Sequence, residues 1–127
     1  MNQLTIEFLK PEFTVCKLRE GSAGAFGGEF VFFGKTDEEL SLVCPTAEVP
    51  GDGSVLVRDD GWRAFRVVGV LDFSLIGILA RISGALANAK IGIFAVSTFN
   101  TDYILVKSEN ADRAAAALAA AGFEVTK

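Results

Sequence analysis

Two short groups of polar side chains interrupt the apolar stretches of this 127-residue chain. Asp72 ends one apolar run, and a carboxylate at the end of a buried strand is costly to bury without a partner. Ser97 and Thr98 end a second apolar run, and polar groups on an otherwise apolar strand commonly orient a small ligand. Asn100 and Asp102 follow directly, but both are typical turn-forming residues. We therefore favour Asp72, Ser97 and Thr98 as candidate binding residues.

The residue types on which most enzymes depend are scarce. The chain contains no histidine, which removes the usual general base for a serine or cysteine nucleophile. Cys16 and Cys44 are the only cysteines, and they show no CxxC spacing that would suit a zinc site. We predict that both are reduced, buried thiols, that no metal or cofactor is bound, and that the protein is not an enzyme.

Charge and hydropathy exclude two further classes of partner. The 12 basic and 16 acidic residues leave a net charge of −4, the wrong sign for a general nucleic-acid binder. The first five residues lack the basic segment of a signal peptide, and the most apolar stretch, from Val67 to Ala80, is short and contains Asp72. We expect no membrane association and a cytoplasmic location.

The second half of the chain begins with the clearest strand and helix signals. Residues 65–72 are apolar on nearly both faces, which is typical of a central strand. From Leu75 the period becomes helical, and Ser74 is a suitable N-cap for that helix. The apolar stripe of the predicted helix consists of Leu75, Leu79, Ile82 and Leu86.

A hairpin, a helix and a last strand follow. Residues 91–98 and 103–107 predict the two strands of the hairpin. Asn110 can cap a second helix, which Gly122 would end before a final strand at 123–126. The order is β-α-β-β-α-β, which is the ferredoxin-like arrangement of an antiparallel four-stranded sheet with both helices on one face.

The first half carries a weaker pattern. Two extended runs are predicted on either side of a bend at Pro11, and the glycines within 21–28 favour a loop over a helix. Residues 30–33 and 40–44 predict a second β-hairpin. A helix between the first strand and this hairpin is therefore predicted to be short or lost.

The boundary between the two halves is expected between Asp52 and Gly61. A turn at Asp59–Gly61 there follows Val55–Val57, which is a short strand or an extended connection. This divides the chain into an N-terminal unit, 1–60, and a C-terminal unit, 61–127. The apolar second face of the C-terminal sheet needs a cover, which the first unit or another chain could supply. We therefore expect a homodimer.

The hairpin sequence Ser-Thr-Phe-Asn-Thr-Asp-Tyr-Ile-Leu-Val at 97–106 resembles the signature hairpin of ACT-domain proteins related to the cytosolic arginine sensors. The resemblance extends over residues 62–127, and Thr36–Val43 is similar to the second hairpin of the family's leading unit. It implies an α+β fold of tandem ferredoxin-like βαββαβ (ACT) units, the first of which lacks or shortens its first helix.

The resemblance also implies a function and a site. Such proteins bind free amino acids between ACT units and act as sensors or regulatory modules. Their ligand carboxylate meets backbone N–H groups in the loop between first strand and first helix. The implied ligand-binding residues are Asp72, Phe73, Ser74, Leu75, Ile76 and Gly77 of that loop, with Ser97 and Thr98 of the hairpin. Alternatively, Ser74 only caps the helix and Gly77 only packs.

Our leading hypothesis is a regulatory or sensor protein without catalytic activity. A free amino acid is its ligand, and occupancy shifts its interaction with an unidentified regulated protein. A structural oligomerisation module is the first alternative. An acylphosphatase-like hydrolase is less favoured, because that chemistry needs a cationic anion clamp and residues 72–77 contain no Arg or Lys.

Overall fold

The computed structural model describes residues 4–22, 27–68 and 77–127. Short 3-10 helices lie at Thr46–Glu48 and Ser108–Asn110. The remaining elements, in chain order, are β1 (Thr5–Leu18), β2 (Phe32–Lys35), β3 (Leu40–Pro45), β4 (Val55–Val67), α1 (Ile78–Asn88), β5 (Phe94–Ser97), β6 (Asp102–Lys107), α2 (Ala111–Ala120) and β7 (Glu124–Thr126).

The chain divides into two compact units. Unit 1 comprises Met1–Lys10 and Arg63–Lys127, and unit 2 comprises Pro11–Trp62. The long strands β1 and β4 therefore contribute residues to both units. Residues 1–10 group with the C-terminal half of the chain. The division into two ACT units at 1–60 and 61–127 stays a prediction.

Unit 1 contains the predicted β-α-β-β-α-β order as β4, α1, β5, β6, α2 and β7. Its strands lie in the order β7-β1-β4-β6-β5, so that β4 is an interior strand, as its apolar sequence predicts. β5 and β6 form an antiparallel hairpin. β1 lies between β4 and β7 and pairs with β7 in parallel at Thr5–Glu7. The sheet of unit 1 thus has one strand more than the four that were expected.

The core of unit 1 lies between this sheet and its two helices. The helical stripe is confirmed where the structure describes it, because Ile82 and Leu86 are fully buried and Leu79 packs against the same cluster. β1 adds Phe8, whose ring centre lies 5.0 Å from that of Phe65 on β4. The buried core residues are Ile6, Phe8, Phe65, Val67, Ile82, Leu86, Ile91, Ile104, Val106, Ala111, Ala114, Ala115, Leu118 and Phe123.

The helix ends differ from the predicted caps. Gly77, not Ser74, is the N-cap of α1, and Ser74 lies outside the described residues. Asn110 is the N-cap of α2, but its side chain makes no capping bond. Its Oδ1 instead accepts a hydrogen bond of 2.8 Å from Arg113 Nη1. Arg113 also donates to the carbonyl of Ala89, so a side chain of α2 satisfies the C-terminal end of α1.

Unit 2 has the strand order β2-β3-β1-β4. The predicted hairpin is confirmed as β2 and β3, with residues 36–39 as its turn. The described part of unit 2 holds no α-helix, only the 3-10 turn after β3. Both cysteines are free and buried, as predicted. One core cluster of unit 2 consists of Cys16, Leu18, Leu40, Leu42 and Cys44.

Two predicted breaks are wrong, because β1 and β4 are longer than the sequence suggests. Pro11 does not end the strand; it lies between the stretch of β1 that pairs with β7 and the stretch that pairs with β3. Neither ladder therefore needs the N–H that proline lacks. The predicted turn at Asp59–Gly61 lies within β4, where Gly61 adopts a positive φ of 82°. Glycine adopts this conformation without steric cost, so the strand continues past it.

Candidate functional site

The two hairpin residues that were predicted to bind ligand lie at the end of β5 in unit 1. Ser97 is the last residue of the strand and stands opposite Asp102, the first residue of β6. Its hydroxyl Oγ donates a hydrogen bond of 2.6 Å to Asp102 Oδ1. Ser97 is exposed, and its single hydroxyl proton is used in this bond, so the pair presents acceptor oxygens and a negative charge to solvent.

Thr98 and Thr101 close the turn of the same hairpin. The backbone N–H and the hydroxyl of Thr98 both donate to the carbonyl oxygen of Thr101, each at 2.9 Å. The hydroxyl of Thr98 is therefore held within the turn. A turn-forming role was predicted for Asn100 and Asp102, whereas Thr98 was predicted to bind ligand.

Thr101 fixes the hairpin against the neighbouring strand. Its side chain is buried, and its hydroxyl Oγ1 donates a hydrogen bond of 2.7 Å to the carbonyl oxygen of Val67, the last residue of β4. The polar end of the hairpin is thereby joined to the strand end that precedes the predicted ligand loop. Sequence reasoning did not single out Thr101 for this contact, because its acceptor is a backbone group of a distant strand.

The predicted loop is only partly described. Asp72, Phe73, Ser74, Leu75 and Ile76 lie outside the described residues, whereas Gly77 opens α1. Gly77 has a φ of 86°, and its carbonyl oxygen accepts a hydrogen bond of 2.8 Å from the N–H of Arg81. No described atom lies within 4 Å of the position that a Cβ would take. Glycine is therefore required here for its backbone conformation and not for close packing.

The central strand also carries a charged group that sequence reasoning missed. Arg66 Nε donates to Glu7 Oε1 at 3.0 Å, and Arg66 Nη1 donates to the hydroxyl of Tyr103 at 3.4 Å. The bond to Tyr103 and then that to Glu7 raise the pKa of Arg66, so its cationic form is favoured. Arg66 directly precedes Val67 on β4, and its partner Tyr103 lies on β6, the strand that follows the Thr101 turn. In the sequence, Arg66 is a single charged residue within a run that is apolar on nearly both faces, and nothing local reports its partners.

The described residues offer hydrogen-bonding groups rather than reactive ones. Among them, no cluster of His, Cys, Asp or Glu could hold a metal ion. Burial, followed by the nearby Cys16 and Glu48, raises the pKa of the Cys44 thiol to about 11, and burial raises the pKa of Cys16 as well. Both thiols are therefore protonated and poorly nucleophilic near neutral pH. The arrangement is suited to binding a small polar molecule.

A family model described as the ACT domain matches residues 57–120. The match spans 64 of the 127 residues and includes α1, the β5–β6 hairpin and α2. This chain belongs to the ACT-domain family. No curated protein gives a sequence match to it.

Solved structures resemble this ACT-domain protein over nearly its whole length. A protein from Agrobacterium tumefaciens is 34% identical, with a TM-score of 0.86 over 99% of this chain and 94% of its own. A protein of unknown function from Vibrio cholerae is 17% identical, with a TM-score of 0.69 over 89% of this chain and 85% of its own. The regulatory subunit of aspartate kinase from Thermus thermophilus is 12% identical, with a TM-score of 0.61 over 91% and 96%. The two more distant matches show a shared fold.

These matches confirm the ACT domain as the family, but they do not single out the branch of the arginine sensors. Within this ACT-domain protein, the matched region contains every described residue of the predicted site, namely Gly77, Ser97 and Thr98. None of the helices in the described parts of the chain is long and apolar enough to cross a lipid bilayer.

Proposed function

We propose that this ACT-domain protein is a regulatory or sensor protein that binds a free amino acid and has no catalytic activity. The family supports a regulatory role, since structural neighbours include a regulatory subunit of aspartate kinase. The proposed site is the one implied by the sequence, formed by residues 72–77 together with Ser97 and Thr98.

The hydrogen bond from Thr101 to Val67 is the observation that carries the proposal. It is buried and 2.7 Å long, and it joins the polar hairpin end to the end of β4. In the sequence, the predicted loop begins only five positions after Val67 and ends at Gly77. A ligand bound by that loop would therefore lie within reach of the hairpin end.

The hairpin end offers complementary chemistry for an amino acid. Asp102 carries a half-buried carboxylate that already accepts a short bond from Ser97, and it retains acceptor capacity for a ligand ammonium group. The N–H groups that open α1 after Gly77 would favour the ligand carboxylate. We expect Ser97 to act through Asp102, because its hydroxyl holds that carboxylate in place.

The remaining parts of the proposal concern assembly and regulation. We propose a cytoplasmic homodimer in which ligand occupancy shifts the affinity for an unidentified regulated protein. Light scattering with and without ligand tests the dimer. A chain that stays monomeric under both conditions would contradict this part of the proposal without affecting ligand binding.

Thermal denaturation against each of the twenty free amino acids tests the binding function. One or a few of them should stabilise the protein, by about 2.7 kcal/mol at a hundredfold excess over the dissociation constant. Asp72→Ala and Ser97→Ala should abolish or strongly reduce that shift. No stabilisation by any amino acid would contradict the proposal and favour the alternative of an oligomerisation module.

A matched serine separates a site effect from a general loss of stability. Ser83 lies on α1 in the same unit, is half-buried, and donates a hydrogen bond to the carbonyl of Ala80. Ser83→Ala should leave the ligand-induced shift unchanged. If Ser83→Ala and Ser97→Ala reduce the shift equally, the hairpin end is not the binding site.

A further inference from the structure

Two strands run from one unit of the chain into the other, and each does so beside a residue with an unusual backbone. β1 passes from unit 1 to unit 2 between Lys10 and Pro11, and β4 passes from unit 2 to unit 1 between Trp62 and Arg63. Pro11 has no backbone N–H to donate. Gly61, which directly precedes Trp62, has a φ of 82°. Neither residue has the backbone of a regular strand residue.

At this boundary, β1 and β4 have only each other as neighbouring strands within the described residues. The pairing of β1 with β7 ends at Glu7, and its pairing with β3 begins at Phe13. β6 has six residues and contacts β4 near the C-terminal end of that strand, so it does not extend to Gly61. We call residues 10–12 of β1 and 61–62 of β4 the connecting ribbon. A two-stranded ribbon is more strongly twisted and less stable than a wider sheet.

The side chains of the connecting ribbon are less buried than those on either side of it. Residues 10–12 and 61–62 are all exposed or half-buried. In contrast, Leu9 is 5% exposed, and Phe13 and Ala64 are fully buried. Segments with few buried side chains open at a lower free-energy cost than the cores beside them. The connecting ribbon is therefore the part of β1 and β4 that can deform most easily.

Hydrogen bonds tie β1 to β4 on each side of the connecting ribbon. In unit 2, Thr14 Oγ1 donates to Asp60 Oδ1 at 2.6 Å, one residue before Gly61. In unit 1, Arg63 Nη2 donates to the carbonyl of Leu9 at 3.1 Å, two residues after Gly61. Each of these bonds lies within one unit. A deformation confined to the connecting ribbon would therefore break neither of them.

Gly61 gives β4 a backbone that can change conformation at this point. Glycine adopts positive and negative φ almost equally well, whereas a residue with a Cβ strongly favours negative φ. No described atom lies within 4 Å of the position that a Cβ of Gly61 would take. The glycine is therefore required for its conformation and not for close packing, and no described neighbour obstructs a change in its φ and ψ.

We propose that the connecting ribbon is a hinge, at which β1 and β4 bend together and the orientation of the two units changes. Gly61 absorbs the change in φ and ψ, as hinge residues do. On β1, Pro11 removes a backbone donor that would otherwise be available to stiffen the ribbon. The inference goes beyond the proposed function and does not rest on it, because the motion needs no ligand.

Distances between spin labels on the full chain test the hinge. Both native cysteines are buried, so labels attach at introduced ones. Ala95→Cys on β5 is combined with Glu124→Cys on β7 in the same unit, or with Lys35→Cys on β2 in unit 2; all three positions are exposed. The first pair is four strand spacings apart, about 19 Å, which pulsed EPR resolves. An excess of unlabelled chain restricts the measurement to distances within one molecule.

The width of each distance distribution decides the outcome. The pair that spans both units should give a distribution at least about twofold wider than the pair within unit 1. Equal widths would mean that the units keep one fixed orientation and would overturn the proposal. This comparison uses only exposed labelling positions, so it does not depend on a change in the connecting ribbon itself.

Two glycines with positive φ give a matched pair of variants. Gly61→Val should narrow the distribution between the units to nearly the width found within unit 1, because valine does not readily adopt positive φ. Gly53 has a φ of 88° and is equally open around its Cβ position, but it lies in a turn outside the connecting ribbon. Gly53→Val should leave the width unchanged. Equal narrowing by both variants, or by neither, would overturn the assignment to Gly61.

Pro11→Val tests the other strand and remains informative if Gly61→Val does not fold. It restores a backbone donor to β1 and should also narrow the distribution between the units. An unchanged width would contradict the role of Pro11 in the hinge. Because all of these measurements are made without an amino acid, a negative result would leave the proposed binding function untouched. Conversely, a protein that no amino acid stabilises could still show the wide distribution.

Discussion

The two units of this protein stabilise their sheets in different ways. In unit 1, two helices cover one sheet face and bury large side chains such as Phe65, Ile82 and Leu118. In the described part of unit 2, no α-helix performs that role. One core cluster there includes both cysteines, and Thr14 takes part in a partly buried polar network. Within the described residues, the sheet of unit 2 is thus accompanied by apolar packing and polar contacts and not by an α-helix.

The two units also differ in what they offer a ligand. The described part of the candidate site of unit 1 is made of a hairpin end and a helix start, and the hydroxyl of Thr101 holds the hairpin end to the carbonyl of Val67. A groove of about 670 Å³ in unit 2 lies at the end of the sheet, where β1 and β2 finish and β3 begins. Among the described residues, the site of unit 1 offers N–H groups at a helix start, whereas the lining of this groove includes no helix.

The largest effect should come from the helix-covered core of unit 1. Phe65 is fully buried and packs on Phe8, so Phe65→Ala should lower the free energy of unfolding by about 4 kcal/mol. Leu42→Ala, in the core of unit 2, should cost about 3 kcal/mol. Urea denaturation measures both. Phe99 is 78% exposed, and Phe99→Ala should change stability by less than about 0.5 kcal/mol. A Phe65→Ala variant as stable as Phe99→Ala would break the comparison.

The cysteines of unit 2 should make its stability depend on alkaline pH. The folded state holds the pKa of Cys44 at about 11, above its ordinary value of 9.0. A raised pKa favours the protonated thiol, so the stabilisation is complete below about pH 9 and is lost as the pH rises through about 11. Between about pH 8 and about pH 11, the wild-type chain should lose about 2 kcal/mol more unfolding free energy than Cys44→Ala does. Parallel pH profiles for the two proteins would show that Cys44 does not titrate in this way.

The polar network of unit 2 should contribute somewhat less. Thr14 Oγ1 donates to Asp60 Oδ1 at 2.6 Å and lies 2.9 Å from the hydroxyl of Thr46, with no exposure to solvent. Thr14→Val keeps the shape but removes both bonds, and it should cost about 1.5 kcal/mol by urea denaturation. Thr5→Val, on the same strand but half-buried, is the control and should be nearly neutral. An equally neutral Thr14→Val would mean that the network does not replace apolar packing.

The smallest effects should have opposite signs at two glycines of one helix segment. Gly77 has a positive φ, so Gly77→Ala should destabilise the protein by about 1 kcal/mol although space is open around it. Gly84 lies inside α1, and no described atom lies within 4 Å of the position that its Cβ would take, so Gly84→Ala should stabilise by about 0.7 kcal/mol. Thermal denaturation measures both changes. Destabilisation by both variants would show that steric crowding, not backbone conformation, governs this helix.

The spacing of apolar and polar residues predicted structure correctly where the pattern within a single helix or hairpin is enough to define it. The spacing of Ile82 and Leu86 predicts the buried face of α1, and the polar turn between 33 and 40 predicts the hairpin of unit 2; the structure confirms both. Local signals were wrong at Pro11 and at Asp59–Gly61. There the neighbouring strands decide whether a proline or a glycine interrupts pairing, and no local pattern reports which strands are neighbours.

At the candidate site, too, the sequence predicted local positions but not contacts between distant residues. Ser97 and Thr98 were singled out as polar residues at a strand end, and both lie at the end of the β5–β6 hairpin. The contact of Thr101 with Val67 and the ion pair of Arg66 with Glu7 were not foreseen, because each joins residues that are distant in the sequence. Their roles in binding stay predictions that the ligand experiments address.

By itself, the sequence determined the local elements, the ACT family and the absence of histidine chemistry, since each depends on residue types and short-range spacing. Only the tertiary structure decided that β1 lies between β4 and β7, that residues 1–10 group with the C-terminal half, and that a groove opens in unit 2. Strand order depends on which long-range pairings bury the most apolar surface with all backbone groups satisfied. That balance is a property of the whole fold and of no single segment.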